Sequence, residues 1–296
     1  MSQLLAFVRL SRPLFLYGGF AGVALGAAVA RSAGLPIDVA TYLWAQSLVT
    51  SFQLMVHYAN DYFDRAADVE STPTAWSGGS GVLTAGALQP RVALVAALVC
   101  AALGLAATAR FAVAGNAAVA WLGAAIAVLA WCYSAPPVRL AARGLGEIDT
   151  AVVVGALVPF AGYAAFAGGL GEPLSSVVTS TVLAMFAMML CVELPDAGWD
   201  RAAGKRTLVV RLGPSRAWQF ITIAAVIAVA HAVLSAWRVE AGWWLLALAP
   251  AAAAAFQLVR LVRNDPRPAS VALWGVALYA TTVTGLGIVY AALPLR

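Results

Sequence analysis

Apolar residues fill nine blocks of the chain, approximately 14–30, 40–60, 92–109, 116–133, 147–167, 174–194, 217–237, 242–262 and 270–293. Each is close to the roughly 20 residues a helix needs to cross a bilayer. The blocks are continuous rather than alternating, which predicts helices and excludes a membrane barrel. Polar residues within them are few and regularly placed. In 53–68, QLMVHYANDYFDRAAD, Gln53, His57, Asn60, Asp61, Asp64 and Asp68 follow steps of three and four. On a helix this spacing draws one polar stripe up the end of a span. In 193–200, ELPDAGWD, Glu193, Asp196 and Asp200 repeat the spacing where another apolar run closes. A carboxylate at the centre of a membrane helix costs about 2.5–3.5 kcal/mol, so two such clusters point to a function. They read as two walls of one cation site.

Composition narrows the class. The 296 residues are 62% hydrophobic and 10% charged, with a mean hydropathy of +0.87. Soluble domains carry about 25% charged residues. The expected fold is therefore all-α, a polytopic integral membrane protein of about nine transmembrane helices, in a single domain over 1–296. The three cysteines, Cys100, Cys132 and Cys191, sit singly in apolar blocks and read as core packing. The N-terminal MSQLLAFVRLSRPLF has its arginines after the first apolar residues, unlike a signal peptide.

The net charge of +5 reads as membrane topology, with no nucleic-acid partner. With the N-terminus inside, 14 of the 18 basic residues fall on inner segments and 4 on outer ones. By the positive-inside rule this puts the N-terminus in the cytoplasm. Of the 13 acidic residues only Asp38, Glu172 and Glu240 fall outside. Both signs thus gather on the cytoplasmic face, where chemistry is expected. Abundant Ala and a 17-to-1 preference for Arg over Lys suggest a GC-rich genome, and the bacterial inner membrane is the expected location.

Aspartates three or four apart present hard oxygen ligands to one space, the kind Mg²⁺ shares with substrate phosphates. Two such walls suit a diphosphate, with basic side chains on adjoining loops for its remaining oxygens. A surrounding apolar bundle suits a long hydrocarbon tail. Two inner loops carry such groups, SAPPVRLAARGLG at 134–146 and RAAGKRTLVVRLGPSR at 201–216, while the Gly- and Ser-rich loop containing SGGSGVL at 77–83 is expected to cover or border a pocket. A membrane-embedded enzyme acting on a prenyl diphosphate follows.

NDYFDRAAD at 60–68 resembles the NDxxDxxxD motif of the UbiA superfamily of intramembrane prenyltransferases. DAGWDRAAGKRTLVVRLG at 196–213 is similar to that family's second aspartate motif and its basic tail. YSAPPVRLAARGLGE at 133–147 resembles its Tyr-Ser loop, and Arg9 or Arg12 with Pro13 its N-terminal Arg-Pro entry. The resemblance implies Mg²⁺-dependent transfer of a prenyl group to an aromatic or other lipophilic acceptor, through an allylic carbocation. Carried onto this chain, it makes Asp61, Asp64, Asp68, Asp196 and Asp200 metal-binding, with Asn60 beside them. Lys205, Arg206, Arg139, Arg143 and Arg12 become diphosphate contacts, with Tyr133 and Ser134 near the reacting carbon. GKRTL and the GLGE at 144–147 resemble the branch that prenylates 1,4-dihydroxy-2-naphthoate for menaquinone. Two positions depart from the family: Pro195 is expected to kink or end the sixth helix, and Gly81 stands where relatives often carry Arg.

Other readings share these residues. A terpene cyclase, transfer to a non-aromatic lipid acceptor, or a cation-coupled transporter would each use membrane carboxylates. Transporters place such groups near the midplane, whereas both clusters here close their spans. For His57 a hydrogen-bonded core role outweighs that of a base, and His231 reads as structural. Packing and a metal-side role stand level for Glu193. Glu147 and Asp149 are expected to pair with Arg143, with an acceptor-side role as the lesser reading. Arg260, Arg263 and Arg267 read as contacts to membrane lipids, and Trp243 and Trp244 as an interfacial belt.

Overall fold

In a computed structural model the protein is described over residues 2–68, 79–239, 244–264 and 268–293. Thirteen α-helices carry these residues, and no strand occurs among them. α1 (Gln3–Leu10) is a short leading helix, followed by α2 (Pro13–Ser32), α3 (Val39–Asp64), α4 (Pro90–Val113) and α5 (Ala117–Ser134). α6 (Gly146–Val152) runs through a π-helical turn, Val153–Leu157, into α7 (Val158–Ala167). Then come α8 (Glu172–Glu193), the short α9 (Ala197–Ala202) and α10 (Leu208–Leu212), and the long α11 (Pro214–Trp237), α12 (Trp244–Asn264) and α13 (Pro268–Ala291).

Over the described residues, all nine apolar blocks fall on helices. Among the described residues seven stretches are long and apolar enough to cross a membrane: Pro13–Ser32, Pro90–Val113, Ala117–Ser134, Gly146–Ala167, Leu174–Glu193, Pro214–Trp237 and Ala269–Ala291. α3 falls short in hydropathy because it carries the polar stripe from Gln46 to Asp64. The apolar part of α12 is only Ala247–Leu261. High hydropathy does not require burial where lipid replaces water. Pro90–Val113 has the highest mean hydropathy, 2.4, yet only 28% of it is buried. Leu98, Val99, Leu103 and Leu105 project from it as exposed side chains. Trp243 and Arg267, and the side chains of Trp244 and Arg263, lie outside what is described.

The core divides in two. Leu48, Phe52, Met55 and Ile126 belong to a cluster gathering α3, α4 and α5. Leu190, Ile221, Leu258 and Leu286 belong to another joining α8, α11, α12 and α13. α2 and the α6–α7 rod run between them. Small residues let these central helices touch: a Cβ at Gly162 would lie 2.6 Å from the Val23 carbonyl oxygen of α2.

The break in the α6–α7 rod has an identifiable cause. Pro159 offers no N–H to the carbonyl of Gly155, four residues back. The Thr181 hydroxyl of α8 donates to that carbonyl instead, at 2.5 Å. Such a widened turn is common at functional sites. Here it brings the successive residues Val153 and Val154 both onto the wall of the cavity described next.

Two local expectations are modified. The acidic stripe of α3 is not helical throughout: the helix ends at Asp64, and Asp68 lies in the turn beyond. Its N–H still reaches the Asp64 carbonyl at 3.0 Å, so one further turn keeps helical spacing. α8 ends at Glu193, two residues before Pro195, as the proline's missing donor and bulky ring predict. Asp196 therefore becomes the N-cap residue of a new helix, α9, which carries Asp200 one turn on. Glu193, Asp196 and Asp200 do not share one continuous helix.

Candidate functional site

The end of α3 and the α8–α9 corner meet at the mouth of a cavity of about 660 Å³. Asn60, Asp64, Asp68, Asp196, Asp200 and Lys205 line the mouth. Farther in, Met185, Met188, Met189, Val192, Val276 and Ala280 form an apolar wall. A charged mouth therefore leads to a slot suited to hydrocarbon.

Lys205 joins the two walls. Its Nζ lies 3.1 Å from Asp64 Oδ2, 3.6 Å from Asp68 Oδ1 and 3.6 Å from Asp200 Oδ1. Carboxylates from both clusters thus converge on one positive charge. The loop that holds it is anchored twice: the Lys205 N–H donates to the Asp200 carbonyl, and the Arg206 N–H to that of Ala142. Asn60 organises the other wall. Its Nδ2 donates to Asp64 Oδ2 and to Ser134 Oγ, each at 3.0 Å, while its Oδ1 accepts from Arg12 at 3.0 Å. Arg139 adds a longer ion pair to Asp64, at 3.7 Å.

Asp61 faces elsewhere. It forms a salt bridge with Arg12 and accepts from the Ser80 hydroxyl and, at 3.3 Å, from the Ser80 N–H. Arg12 sits at φ 48, an uncommon conformation for a non-glycine residue, where α1 turns into α2. Ser80 was not singled out in the sequence. The glycine- and serine-rich loop around it was read only as a pocket border.

The charges answer one another. Burial raises the Asp68 carboxyl to about 6; Lys205 opposes the rise and Asp64 adds to it. Asp200 is raised for the same first reason, burial, again against the pull of Lys205. For Lys205 burial favours loss of the proton, but Asp64, Asp68 and Asp200 together outweigh it and hold the ammonium charged. Arg12 is raised likewise, burial being overcome by Asp61.

The remaining candidates are placed plainly. Tyr133 lines the cavity, whereas Ser134 is buried behind Asn60. Arg143 and Arg206 are exposed and outside the lining, and the Arg143 guanidinium donates to the Pro137 carbonyl at 2.8 Å. The expected pairing of Glu147 and Asp149 with Arg143 is not formed, because the turn Ala141–Arg143 carries the guanidinium outward. Glu147 is wholly buried and accepts from the Leu208 N–H at the start of α10. His57 holds the α1–α2 corner through Ser11 O, at 2.8 Å, and His231 bonds Ser180. The cysteines are free.

Hard carboxylate oxygens around a central positive charge are the donor set a divalent ion such as Mg²⁺ takes. Among the described residues no three acidic, His or Cys side chains already stand in a ready-made metal cluster. The Lys205 ammonium holds the shared position, as a stand-in cation, so the residues fit such an ion.

The fold and cavity define a helical integral membrane protein with a lipophilic slot capped by carboxylates. Residues 20–280 match the UbiA prenyltransferase family, and the chain belongs to that family. It is a membrane-embedded prenyltransferase. A digeranylgeranylglyceryl phosphate synthase of Halobacterium salinarum is 30% identical over 261 residues, 82% of each chain. A 2-carboxy-1,4-naphthoquinone phytyltransferase of Synechocystis sp. is 31% identical over 145 residues, 48% of this chain. The match spans about half, 46%, of that relative's length. The structure of a UbiA homologue from Archaeoglobus fulgidus bound to GPP and Mg²⁺ superposes with a TM-score of 0.69. It covers 97% of this chain and 99% of its own at 16% identity, a likeness of fold.

Proposed function

We propose that this protein transfers a prenyl group from a prenyl diphosphate to an aromatic or other lipophilic acceptor, in a Mg²⁺-dependent reaction at the cytoplasmic face of a bacterial inner membrane. The observation that carries this reading is the convergence of Asp64, Asp68 and Asp200 on Lys205 at the mouth of an apolar slot. α3 and α12 cross the membrane with the other helices, and the chain acts as one domain.

Asp61, Asp64, Asp68, Asp196 and Asp200 would hold the metal, with Asn60 orienting Asp64. When bound, Mg²⁺ shields the diphosphate charge and eases its departure as a leaving group. Lys205, Arg12 and Arg139 supply fixed positive charge for phosphate oxygens. The methionine-lined wall seats the prenyl chain and keeps water from the allylic cation. The Tyr133 ring, on the same lining, offers a π face to that cation.

The relatives divide over the acceptor. The phytyltransferase is named for a naphthoquinone, which favours a quinone-type aromatic ring; the Halobacterium synthase is named for a glyceryl phosphate lipid. Purified protein in lipid nanodiscs, given a labelled prenyl diphosphate with each acceptor class, tests the proposal. The expected result is a prenylated acceptor with Mg²⁺ and none with EDTA. Neither transfer nor diphosphate release under any of these conditions would sink it.

A further inference from the structure

The cavity lining carries a second acidic feature that diphosphate chemistry does not use. Asp149, on α6, is only 8% exposed and lines the cavity beside Thr150, Val153 and Val154. Its Oδ1 has no hydrogen-bond partner, and no ion pair to it occurs among the described residues. A buried carboxyl without a partner is costly, and such groups in native proteins call for an explanation. Glu193, also on the lining, has an unpartnered Oε2. Tyr133 lines the same cavity as Asp64, Asp149 and Glu193.

We propose that Asp149 receives the hydroxyl of a phenolic acceptor and takes its proton during transfer. The inference rests on the prenyl-transfer reading and assigns its acceptor class. A carboxylate accepts hydrogen bonds from hydroxyl donors and repels anions. The cationic groups Arg12 and Lys205 stand at the mouth, where the diphosphate belongs. The part of the lining around Asp149 is thus matched to a neutral, hydroxyl-bearing aromatic ring and mismatched to a phosphate. Met185, Met188 and Met189 on the facing wall suit a flat ring.

The step balances. The donor C–O bond breaks and its electron pair leaves with the diphosphate. A ring carbon ortho to the hydroxyl forms the new C–C bond to the allylic cation. The O–H electrons become a C=O bond as the proton passes to Asp149. Loss of the hydrogen at the attacked carbon and return of a proton to oxygen restore the phenol, so one proton is released per transfer.

The test compares wild type, Asp149→Asn and Asp149→Glu in nanodiscs. Binding of geranyl thiodiphosphate with Mg²⁺ serves as the control for folding, and transfer to a naphthalenediol or to a glyceryl phosphate lipid is the readout. Asp149→Asn should bind the donor analogue within about twofold of wild type while transfer to the naphthalenediol falls about 100-fold, the scale of a lost general base. The deficit should shrink at high pH, where the diol ionises unaided, and Asp149→Glu should recover part of the rate. Full-rate transfer by Asp149→Asn, or wild-type transfer to the glyceryl phosphate lipid alone, overturns this proposal and leaves prenyl transfer standing. A wild type that binds no donor analogue overturns both.

Discussion

Lys205 and Asp64 are separated by 141 residues of chain, yet Nζ and Oδ2 stand 3.1 Å apart. The pair ties the end of α3 to the loop after α9, and so ties the two halves of the helical bundle at the cavity mouth. Asp68 and Asp200 complete the arrangement around the same ammonium. Without positive charge at this point, three carboxylates would face one another in a site largely shut off from water.

Replacing Lys205 by Met should expose that repulsion. Breaking a buried ion pair from one side leaves uncompensated charge, at a cost of about 3–5 kcal/mol. Thermal unfolding in detergent should show Lys205→Met markedly destabilised in EDTA, with Mg²⁺ restoring much of the loss. Equal melting temperatures for variant and wild type in EDTA would refute the bridging role.

Asp61→Ala and Asp196→Ala should each abolish turnover while the protein still inserts in the membrane, Asp61→Ala losing some stability because it unpairs Arg12. Asp61 touches Arg12 and Ser80 rather than Lys205, so its loss should also weaken donor binding by freeing Arg12. Membrane fractionation and a prenyl-transfer assay check both statements. Near-normal rates in the two variants would remove these carboxylates from the metal site.

Much of this architecture was legible because hydropathy and helical period are local properties. The apolar blocks mark the helices, and the acidic spacing marks where two of them end. Pro195 correctly foretold the end of α8, since its ring and missing N–H act on neighbours in sequence. What escaped depends on contacts distant along the chain. Lys205 was read as a phosphate ligand, but its place between Asp64 and Asp200 requires the two halves to meet. Ser80 reaches Asp61 only because its loop folds back over α3. Asp149 was assigned to Arg143 by nearness in sequence, and the outward turn at 141–143 undoes that pairing.

Metal binding should depend on pH through Asp68. Its carboxyl, raised by burial from 3.8 to about 6, holds a proton in mildly acid solution, and a carboxylate must be ionised to bind a metal. Mg²⁺ affinity should be nearly flat above pH 7 and fall as pH drops through about 6. Folding linkage has the opposite sign: between about pH 4 and 6 the folded metal-free protein binds the extra proton, so this group's contribution to stability declines as pH rises. Calorimetric Mg²⁺ titrations at several pH values measure the effect, and Asp68→Asn should flatten it. A wild-type affinity that stays constant down to pH 5 would contradict this assignment.

Thr181→Val probes the widened turn that brings Val153 and Val154 to the cavity wall. The substitution keeps the side chain's shape and removes the hydroxyl that serves the Gly155 carbonyl. Pro159 cannot serve that carbonyl, and in the membrane interior no bulk water can take over. Leaving a buried acceptor unsatisfied costs about 1–3 kcal/mol, so Thr181→Val should lower stability by that order. Thr181→Ser keeps the donor and should lose less, although it removes a methyl group. If the turn positions the acceptor side alone, Thr181→Val should raise the acceptor KM more than the donor KM. A variant as stable as wild type, with both KM values unchanged, would show that the Thr181–Gly155 bond neither supports the rod nor shapes the site.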